Sequence, residues 1–386
     1  MQYRHLGNFE ERVSLLGYGC MRFPVREDDP ANIVEEEAEK LIDQAIASGI
    51  TYFDTAYPYH GGRSEEVSSR ILRKYPRSSY YLADKLPIWL IKKDEDTKRY
   101  FEEQLVRCQV EYFDFYLVHS LDRNKYRICE QYHVFDTLKR LKEEGKIRHL
   151  GFSFHDDAGL LEQILDDHSW DFVQIQLNYL DWELQDAKHQ YEVLAARGLP
   201  CMVMEPVRGG VLASLPENAA AYLKDVHPEA SCASWAIRFA ASLPNVLCVL
   251  SGMASQDVIE ENVRTVSNAG EFRAEEVRAL RLAAREFRKG NLIGCTGCGY
   301  CRECPKGVNI PKIFAGYNQY LVGKDRFQLY NAYVKLKDEE KVRNCIKCGS
   351  CMTHCPQGIP ITEKLGEVQA LVDEINANRP DSWFEL

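Results

Sequence analysis

Short apolar runs alternate with amphipathic segments along about the first 270 residues of the chain. A continuous apolar run of roughly four to eight residues indicates a strand buried on both faces, and an apolar stripe with a helical period indicates a helix packed against it. The predicted strands are 14–20, 51–54, 80–85, 113–119, 147–153, 172–177, 201–205 and 246–251. The predicted helices include 34–48, 64–74, 98–108, 133–144, 159–167 and 185–197. Eight strand–helix units in this length predict a TIM (β/α)8 barrel, which is an α/β fold.

The alternative for such an alternation is a doubly wound parallel sheet. That fold commonly carries Gly-x-Gly-x-x-Gly in the turn after its first strand. The first run here contains Gly17-Tyr-Gly19 and lacks the third glycine, so the barrel is the better prediction. We place the barrel domain at residues 1–272 and a smaller second domain at residues 273–386.

The second domain contains two runs of closely spaced cysteines. The first is Cys295, Cys298, Cys301 and Cys304, followed by Pro305, and the second is Cys345, Cys348, Cys351 and Cys355, followed by Pro356. Three cysteines at steps of three, with a fourth before a proline, form the pattern that binds a [4Fe-4S] cluster. Zinc is the alternative, but structural zinc sites usually take two separated Cys-x2-Cys pairs. We therefore expect two [4Fe-4S] clusters.

In two-cluster proteins the fourth cysteine of each run ligates the other cluster. The predicted sets are Cys295, Cys298, Cys301 with Cys355, and Cys345, Cys348, Cys351 with Cys304. Segments 310–322 and 328–342, between the runs, are predicted to be helices. This domain thus resembles the α-helical ferredoxin type rather than the small bacterial ferredoxin that contains strands.

Composition and charge narrow the classes of function. The net charge of −10 argues against nucleic acid and against anionic membrane surfaces as partners. No apolar stretch reaches the ~18 residues that a membrane span needs. No signal-peptide pattern opens the chain, so a reducing, cytoplasmic compartment is expected, in which disulfides do not persist.

Barrel enzymes place their reactive residues at the carboxyl ends of the strands. Asp54 ends the second predicted strand and Tyr59 follows in its loop, while Lys85 ends the third strand and His119 the fourth. Each alone has an ordinary structural explanation, but together they converge on one rim. A lysine beside a phenol favours the phenolate, a carboxylate holds the lysine, and an imidazole can hydrogen-bond the same carbonyl oxygen. Such a set protonates a carbonyl oxygen as hydride reaches its carbon, or performs the reverse reaction.

At these residues the chain resembles the aldo-keto reductase superfamily, and with its cysteine domain it resembles the iron-sulfur branch of that superfamily. The matching segments are Tyr3-Arg-His-Leu-Gly7, Phe53-Asp54-Thr-Ala-Tyr-Pro-Tyr59 leading to Ser64-Glu65, Ala83-Asp84-Lys85-Leu86, Asp114-Phe-Tyr-Leu-Val-His119, Gly151-Phe-Ser153, Val173-Gln174-Ile-Gln176 and Glu260-Glu261-Asn262. The resemblance implies that Asp54, Tyr59, Lys85 and His119 form the catalytic tetrad.

The resemblance also implies a nicotinamide cofactor, NAD(H) or NADP(H), across the barrel rim. Ser153 and Gln174 would hydrogen-bond its carboxamide, and Met204 stands where an aromatic residue usually stacks on the ring. The remaining implied cofactor residues are Arg208, Gly209 and Gly210 near the pyrophosphate, Ser255 and Asp257 at the helix after the eighth strand, and Glu261 and Asn262 at the adenine.

Three features depart from the family pattern. Phe154 and His155 follow Ser153, where the family usually has an asparagine, and Met204 replaces the stacking aromatic residue. Gly252 and Val258 stand where cations usually bind the 2′-phosphate of NADP. The choice between NAD and NADP therefore stays open.

Three functions are compatible with these residues. The first is an aldo-keto reductase-type enzyme for a small carbonyl or alcohol substrate, whose clusters exchange electrons with a partner such as ferredoxin or flavodoxin. Nicotinamides move two electrons at once and clusters move one, so a direct relay would require a flavin or a radical-tolerant substrate. The second is the same enzyme with structural clusters. The third is a redox-responsive module in which the barrel binds a cofactor and the clusters sense oxidation.

Overall fold

The computed structural model describes residues 1–378 apart from Leu6, Asn8 and Asp28. Leu6 of the matching segment 3–7, and residues 379–386 of the predicted second domain, lie outside the described residues. The chain divides into two compact units. The first consists of Met1–Val207 and Ala230–Ala274, and the second consists of Arg208–Glu229 and the chain from Glu275 onward.

Eight parallel strands close into a barrel in the first unit. A short antiparallel pair, β1 (Tyr3–Arg4) and β2 (Val13–Ser14), precedes it. The barrel strands are β3 (Leu16–Gly19), β4 (Tyr52–Asp54), β5 (Tyr81–Leu86), β6 (Phe113–Leu121), β7 (Ile147–Phe154), β8 (Phe172–Gln176), β9 (Cys201–Met204) and β10 (Val246–Ser251). They neighbour one another in chain order, and β10 pairs with β3 to close the ring. The prediction of a TIM barrel is confirmed, and each predicted strand overlaps one of the eight.

Helices lie between the barrel strands along the chain and continue after the last strand. They are α1 (Glu35–Ala47), α2 (Ser64–Leu72), α3 (Glu95–Cys108), α4 (Arg123–Gln131), α5 (Val134–Glu143), α6 (Ala158–Asp167), α7 (Asp181–Leu184), α8 (Ala187–Ala196), α9 (Glu217–Lys224), α10 (Cys232–Ser242), α11 (Gln256–Ser267), α12 (Ala274–Arg288), α13 (Ile310–Gly323), α14 (Arg326–Val334), α15 (Ser350–Thr353) and α16 (Ile361–Asn378). Side chains cap several helix starts: Asp157 accepts a hydrogen bond from the N–H of Leu160, and Ser231 accepts one from that of Ser234. These bonds satisfy N–H groups that a helix start leaves unpaired.

Apolar side chains fill the inside of the barrel. Tyr52, Phe115, Phe172, Met202 and Leu247 are buried there in one cluster, to which the N-terminal hairpin adds Phe9 and Val13. The inside of the barrel is thus a packed apolar core, and the polar residues of the rim lie at the carboxyl end of the strands that enclose it. Among the described residues, no helix combines the length and the apolar character that crossing a membrane requires.

The second unit has an apolar core of its own. Ile310, Phe314, Val342, Leu365 and Val368 are buried in it. The predicted helix 310–322 corresponds to α13, but the prediction of a helix over 328–342 is wrong beyond Val334, where α14 ends. Two short 3-10 turns, Asp338–Glu340 and Val342–Asn344, follow instead. The carboxylate of Glu340 accepts hydrogen bonds from Asn309 and from the N–H of Lys337, so local polar contacts turn the chain where a longer helix would run on.

Candidate functional site

Asp54, Tyr59, Lys85 and His119 meet at the carboxyl end of the barrel strands. The Lys85 ammonium donates to Asp54 Oδ1 at 2.5 Å and to the main-chain oxygen of Thr55 at 2.7 Å. It also lies 3.4 Å from the hydroxyl oxygen of Tyr59. The rings of Tyr59 and His119 meet edge to face with centroids 6.0 Å apart. All four side chains are buried, with at most 9% of their surface exposed.

Burial shifts the pKa of two of these groups. Burial raises the pKa of the Asp54 carboxyl, whereas the adjacent Lys85 ammonium and a hydrogen bond from Gln174 act in the opposite direction. For His119, burial and then the nearby charge of Lys85 hold the pKa well below its usual range. The His119 imidazole is therefore neutral at pH 7, as a hydrogen-bonding partner for a carbonyl oxygen should be.

A bulge in β6 positions His119. The pairing of β6 with β7 shifts register between Val118 and Leu121, and Ser120 adopts a left-handed backbone with φ of 57°. The N–H of Ser120 donates to Ser153 Oγ at 2.6 Å. Bulges of this kind redirect neighbouring side chains near active sites. Ser153 therefore supports the His119 bulge and keeps its own hydroxyl hydrogen for another acceptor.

The residues expected at the nicotinamide lie next to this set. Ser153 and Gln174 are ladder partners on β7 and β8, and both side chains are buried. A hydroxyl and a primary amide side by side form a donor set that suits a carboxamide. Met204 ends β9 and is half-buried. These donors fit the nicotinamide that the family resemblance implies.

The residues expected at the adenine and phosphate end lie on or near α11. Ser255 and Asp257 are exposed, whereas Asn262 is buried and donates to Ser251 Oγ at 3.1 Å. Glu261 is half-buried on the same helix. A Cβ added at Gly252 would lie 2.6 Å from Cγ of Arg22. The aliphatic stem of Arg22 thus covers the position where the family usually has a cation, and sequence reasoning did not single out Arg22.

Arg208, Gly209 and Gly210 belong to the second unit by their contacts. Gly209 has φ of 64°, and a Cβ there would collide with the main-chain carbonyl of Thr296, inside the first cysteine run. Arg208 is buried, and its guanidinium lies against Gly294. The segment that the sequence analysis assigned to the pyrophosphate therefore packs against the start of the first cysteine run.

The cysteines assemble in the two exchanged sets. Cys304 of the first run lines one pocket with Cys345, Cys348 and Cys351 of the second. Cys301 interacts with Cys298 and Cys295 of its own run and with Cys355 of the other. Burial and these neighbouring thiols raise the pKa of Cys301 to about 12, so without a bound cation this group is a protonated thiol. Cys348 is exposed, whereas the other seven ligand candidates are partly buried.

The cysteine sets suit a cluster better than a single ion. Across the part of the chain that the structure describes, no three Cys, His, Asp or Glu side chains converge closely enough to hold one metal ion. A zinc ion requires four ligand atoms about 2.3 Å from one point when they are sulfurs, whereas a cube of four irons takes its four sulfurs at separate corners. Six of the eight cysteines, all except Cys298 and Cys348, also pack against the apolar core of the unit, which is a suitable setting for a cluster.

Sequence reasoning missed a second group of buried polar residues beside the tetrad. Glu65, Asp84 and Gln104 have no exposed surface, and Gln104 donates to the main-chain oxygen of Lys85 at 3.0 Å. The only local signal for Asp84 was its place in Ala83-Asp84-Lys85-Leu86, and Gln104 lies on the apolar face of α3 without any motif. A polar residue on a buried helix face was the signal that could have identified it.

Comparisons with known proteins agree with this geometry. The Aldo/keto reductase family matches residues 15–284, and the 4Fe-4S dicluster domain matches residues 294–359. The uncharacterized oxidoreductase YqkF of Bacillus subtilis is 26% identical over 317 residues, which cover 73% of this chain and 96% of that protein. Probable aldo-keto reductase 1 of Glycine max is 33% identical over 156 residues, which cover 38% of this chain but only 43% of that protein. An aldo-keto reductase from Klebsiella pneumoniae, solved in complex with NADPH, has a TM-score of 0.60 at 22% identity over 74% of this chain and 95% of that one.

Proposed function

Because the chain belongs to the aldo/keto reductase family, we propose that it interconverts a small carbonyl compound and its alcohol with a nicotinamide cofactor. Tyr59 is the general acid and base of this reaction. The observation that carries the proposal is the contact of one buried ammonium, that of Lys85, with both the Asp54 carboxylate and the Tyr59 hydroxyl. This arrangement has a use in proton transfer that ordinary packing does not require.

The proton chemistry follows from the charges. The Lys85 ammonium favours the phenolate form of an adjacent phenol, so Tyr59 can release its proton to the carbonyl oxygen as that oxygen gains electrons. Asp54 balances the ammonium and holds it in place. The neutral His119 donates a hydrogen bond to the same oxygen, which stabilises its developing charge. When bound, the nicotinamide supplies or accepts the hydride.

The cofactor contacts are proposed from the donor set. The hydroxyl of Ser153 and the amide of Gln174 would bind the carboxamide of a nicotinamide at the rim. Ser255, Asp257, Glu261 and Asn262 lie on the side proposed for the adenosine. NAD(H) and NADP(H) both remain candidates, because Gly252 and Val258 provide no cation there, while a structural relative was solved with NADPH.

The substrate pocket is proposed to have an aromatic wall. The Trp89 ring lies 5.2 Å from that of His119, so one face of a bound substrate would contact an aromatic side chain. This supports a small carbonyl or alcohol with some apolar surface. The reduced cysteines that the clusters require also support a cytoplasmic location.

The cysteine sets are proposed to hold two [4Fe-4S] clusters that exchange single electrons with a partner such as ferredoxin or flavodoxin. Support comes from the exposed Cys348 and from Ile346 and Met352 on either side of it, which expose 59% and 39% of their surface. Exposed apolar residues at a redox centre suit a weak, transient encounter with a carrier protein. A structural or sensory role for the clusters is the second candidate, supported by the close packing of Gly209 against the first run.

The test of the catalytic proposal is Tyr59→Phe with Tyr57→Phe as the matched control. Tyr57 lies two residues earlier and hydrogen-bonds Glu103 and Arg107 instead of Lys85. Loss of the Tyr59 hydroxyl should lower carbonyl turnover by about two to four orders of magnitude while nucleotide still binds, whereas the control should stay close to the parent. Unchanged turnover in Tyr59→Phe would remove this residue from the mechanism.

The test of the cluster assignment uses paired double variants. If the fourth ligands are exchanged, Cys304→Ser with Cys345→Ser damages one cluster and leaves about four irons per chain. Cys304→Ser with Cys301→Ser then damages both and leaves almost none. Iron and sulfide content, measured on anaerobically purified protein, should follow this order. The opposite order would show that each run binds its own cluster, and stoichiometric zinc without sulfide would refute the clusters altogether.

A further inference from the structure

Strand β5 continues through Lys85, beyond the end of its neighbour β4. Strand β4 ends at Asp54, and the N–H of Thr55 makes the bond to Ala83 O, at 2.9 Å. Two residues further along β5, the N–H of Lys85 donates to Asp84 Oδ1 at 2.8 Å, and its carbonyl accepts from Gln104 Nε2 at 3.0 Å. Side chains thus make the bonds to Lys85 that a neighbouring strand would otherwise make.

These side chains are held in turn by others. The Gln104 amide uses its second hydrogen to donate to Glu65 Oε1 at 2.8 Å, and its oxygen accepts from the Tyr116 hydroxyl at 2.5 Å. The other oxygen of Glu65 accepts from Arg107 Nη1 at 2.9 Å. With both amide hydrogens and the amide oxygen bonded, Gln104 has one defined orientation.

Asp84 is buried beside a second buried carboxyl group, that of Glu65. Burial, and then repulsion from Glu65, raise the pKa of Asp84 well above its usual range. The groups that act on it are Glu65, Lys85 through both its main-chain N–H and its positive charge, which opposes the rise, and Cys108, whose sulfur lies 3.8 Å from Asp84 Oδ2. Burial raises the pKa of the Cys108 thiol and that of the Tyr116 phenol, so both are neutral. Arg107 forms ion pairs with both Glu65 and Glu103, so a proton on Asp84 keeps a third negative charge out of this network.

We propose that Glu65, Asp84 and Gln104, here called the clamp, are positioning residues that set the distance between the Lys85 ammonium and the Tyr59 hydroxyl. The proposal rests on the proposed function, because that distance matters only if Tyr59 transfers a proton. The clamp acts on the Lys85 main chain from outside the barrel wall, while the side chain of Lys85 points to the rim, since successive residues of a strand face opposite sides.

The geometry explains why such support is needed. The ammonium lies 2.7 Å from Thr55 O but 3.4 Å from the Tyr59 hydroxyl. A small displacement of the main chain away from Tyr59 would leave the bonds to Asp54 and Thr55 in place and remove the interaction with the phenol. Loss of the clamp should therefore impair proton transfer while the ion pair survives.

The experiment compares Gln104→Leu with Gln190→Leu. Gln190 is also a buried glutamine on a barrel helix, and it donates to the main-chain oxygen of Asp156 at 3.1 Å. We expect Gln104→Leu to lower kcat by about ten-fold with little change in KM, and to move the midpoint of the pH–rate profile to higher pH. Gln190→Leu should leave the midpoint unchanged.

Two further variants keep the proposal testable if Gln104→Leu does not fold. Tyr116→Phe removes only the hydroxyl that orients the Gln104 amide, and should move the midpoint in the same direction by less. Asp84→Asn preserves a neutral side chain that can donate to Glu65 and accept from Lys85, and should keep the parent midpoint. Asp84→Val removes both bonds and should move the midpoint to higher pH. Parent midpoints in both Tyr116→Phe and Asp84→Val would overturn the proposal.

A measurement without turnover separates this proposal from the proposed function. In protein labelled with 13Cζ-tyrosine, the Tyr59 signal is assigned by its absence in Tyr59→Phe, and its titration is followed by NMR. A shifted titration in Gln104→Leu supports the clamp even if Tyr59→Phe retains turnover and the proposed reaction fails. An unshifted titration, with turnover abolished in Tyr59→Phe, would refute the clamp alone.

Discussion

The rim of the barrel and the second unit, here called the cysteine unit, differ in how their polar groups find partners. At the rim, the Lys85 ammonium donates to both the Asp54 carboxylate and the main-chain oxygen of Thr55, so protein groups alone pair its charge. In the cysteine unit, thiols from distant runs come together around a pocket and pack against apolar side chains. A thiol is only a weak hydrogen-bond donor and acceptor, so the cysteines form few strong bonds with one another. The rim is thus preorganised by protein contacts, whereas the cysteine sets need a bound group to complete them.

This difference determines which observations identify each region. A preorganised polar site depends on hydrogen bonds between residues far apart in sequence, whose positions only the folded barrel defines. A cluster site depends on ligand type and local spacing, because the cluster itself supplies the geometry. Substitutions should therefore affect folding stability most at the rim, and cofactor content most in the cysteine unit.

The largest effect is expected from breaking the buried ion pair of the rim. Lys85→Met leaves the Asp54 carboxyl buried without its cation, which should cost about 3 kcal/mol of unfolding free energy at pH 7. Lys142→Met is the control, because its pair with Asp171 is partly exposed and should contribute less than about 1 kcal/mol. Urea unfolding followed by tryptophan fluorescence measures both, since Trp89, Trp170, Trp182 and Trp235 lie in the first unit.

The pH dependence of Lys85→Met has a definite sign. Burial raises the pKa of Asp54 and Lys85 opposes this rise, so removing Lys85 raises that pKa further. An acid whose pKa is higher in the folded state stabilises the fold at low pH, and this contribution is lost as pH rises through the folded-state value. The variant should therefore recover part of its loss at pH 5. Equal losses at pH 5 and pH 7 would contradict a buried, unpaired carboxyl.

A smaller effect, seen in cofactor content, is expected in the cysteine unit. Gly209→Ala and Gly210→Ala both place a side chain at positive φ, which costs about 1 kcal/mol. Only the first also collides with the Thr296 carbonyl, whereas a Cβ at Gly210 meets nothing within 4 Å. Overpacking of this kind adds about 1 kcal/mol, and relief of the collision displaces Cys295.

Iron analysis distinguishes the two glycine variants. Gly209→Ala should lose up to about four irons per chain, the content of one cluster, whereas Gly210→Ala should keep the parent content. Tryptophan fluorescence should report little change in the barrel for either variant. If both variants kept the full iron content, Thr296 would not be coupled to the cluster site.

Two parts of the molecule could be predicted from the sequence, and each prediction had a local physical basis. The eight strands were predictable because a strand buried on both faces must be apolar throughout, and the cysteine runs because ligand spacing is local. The gathering of Asp54, Tyr59, Lys85 and His119 followed from barrel topology, which brings strand ends together. Their catalytic roles stay predictions that the experiments above test.

Other features depended on contacts that no local pattern records. The clamp joins residues of α2, β5 and α3, and nothing in the spacing of Glu65, Asp84 and Gln104 indicates that they meet. The β6 bulge at Ser120 carries no glycine that would mark its positive φ. The glycines at 209 and 210 are compatible with a phosphate loop, but the first also accommodates Thr296. The helix predicted over 328–342 is longer than the observed one. Side-chain contacts of Glu340 turn the chain there, and no proline or glycine marks the turn in the sequence.

The smallest effect concerns the titration of His119 at the rim. Its pKa lies well below 6.5 in the folded protein because of burial and Lys85, so it stays neutral while the unfolded chain takes up a proton below about pH 6.5. Stability is then present above the unfolded pKa and falls as pH falls below it, by about 1.4 kcal/mol per pH unit. Between pH 7.5 and 5.5 this group should cost the parent about 1.4 kcal/mol of unfolding free energy.

His119→Gln should abolish that part of the slope, while His5→Gln, at an exposed position, should keep it. His155, whose pKa burial and Lys125 lower to about 3, contributes a similar slope to every variant, so the difference between parent and variant isolates His119. Identical slopes in the parent and in His119→Gln would mean that the imidazole takes up its proton as readily in the folded protein as in the unfolded chain, and that burial does not hold it neutral at the rim.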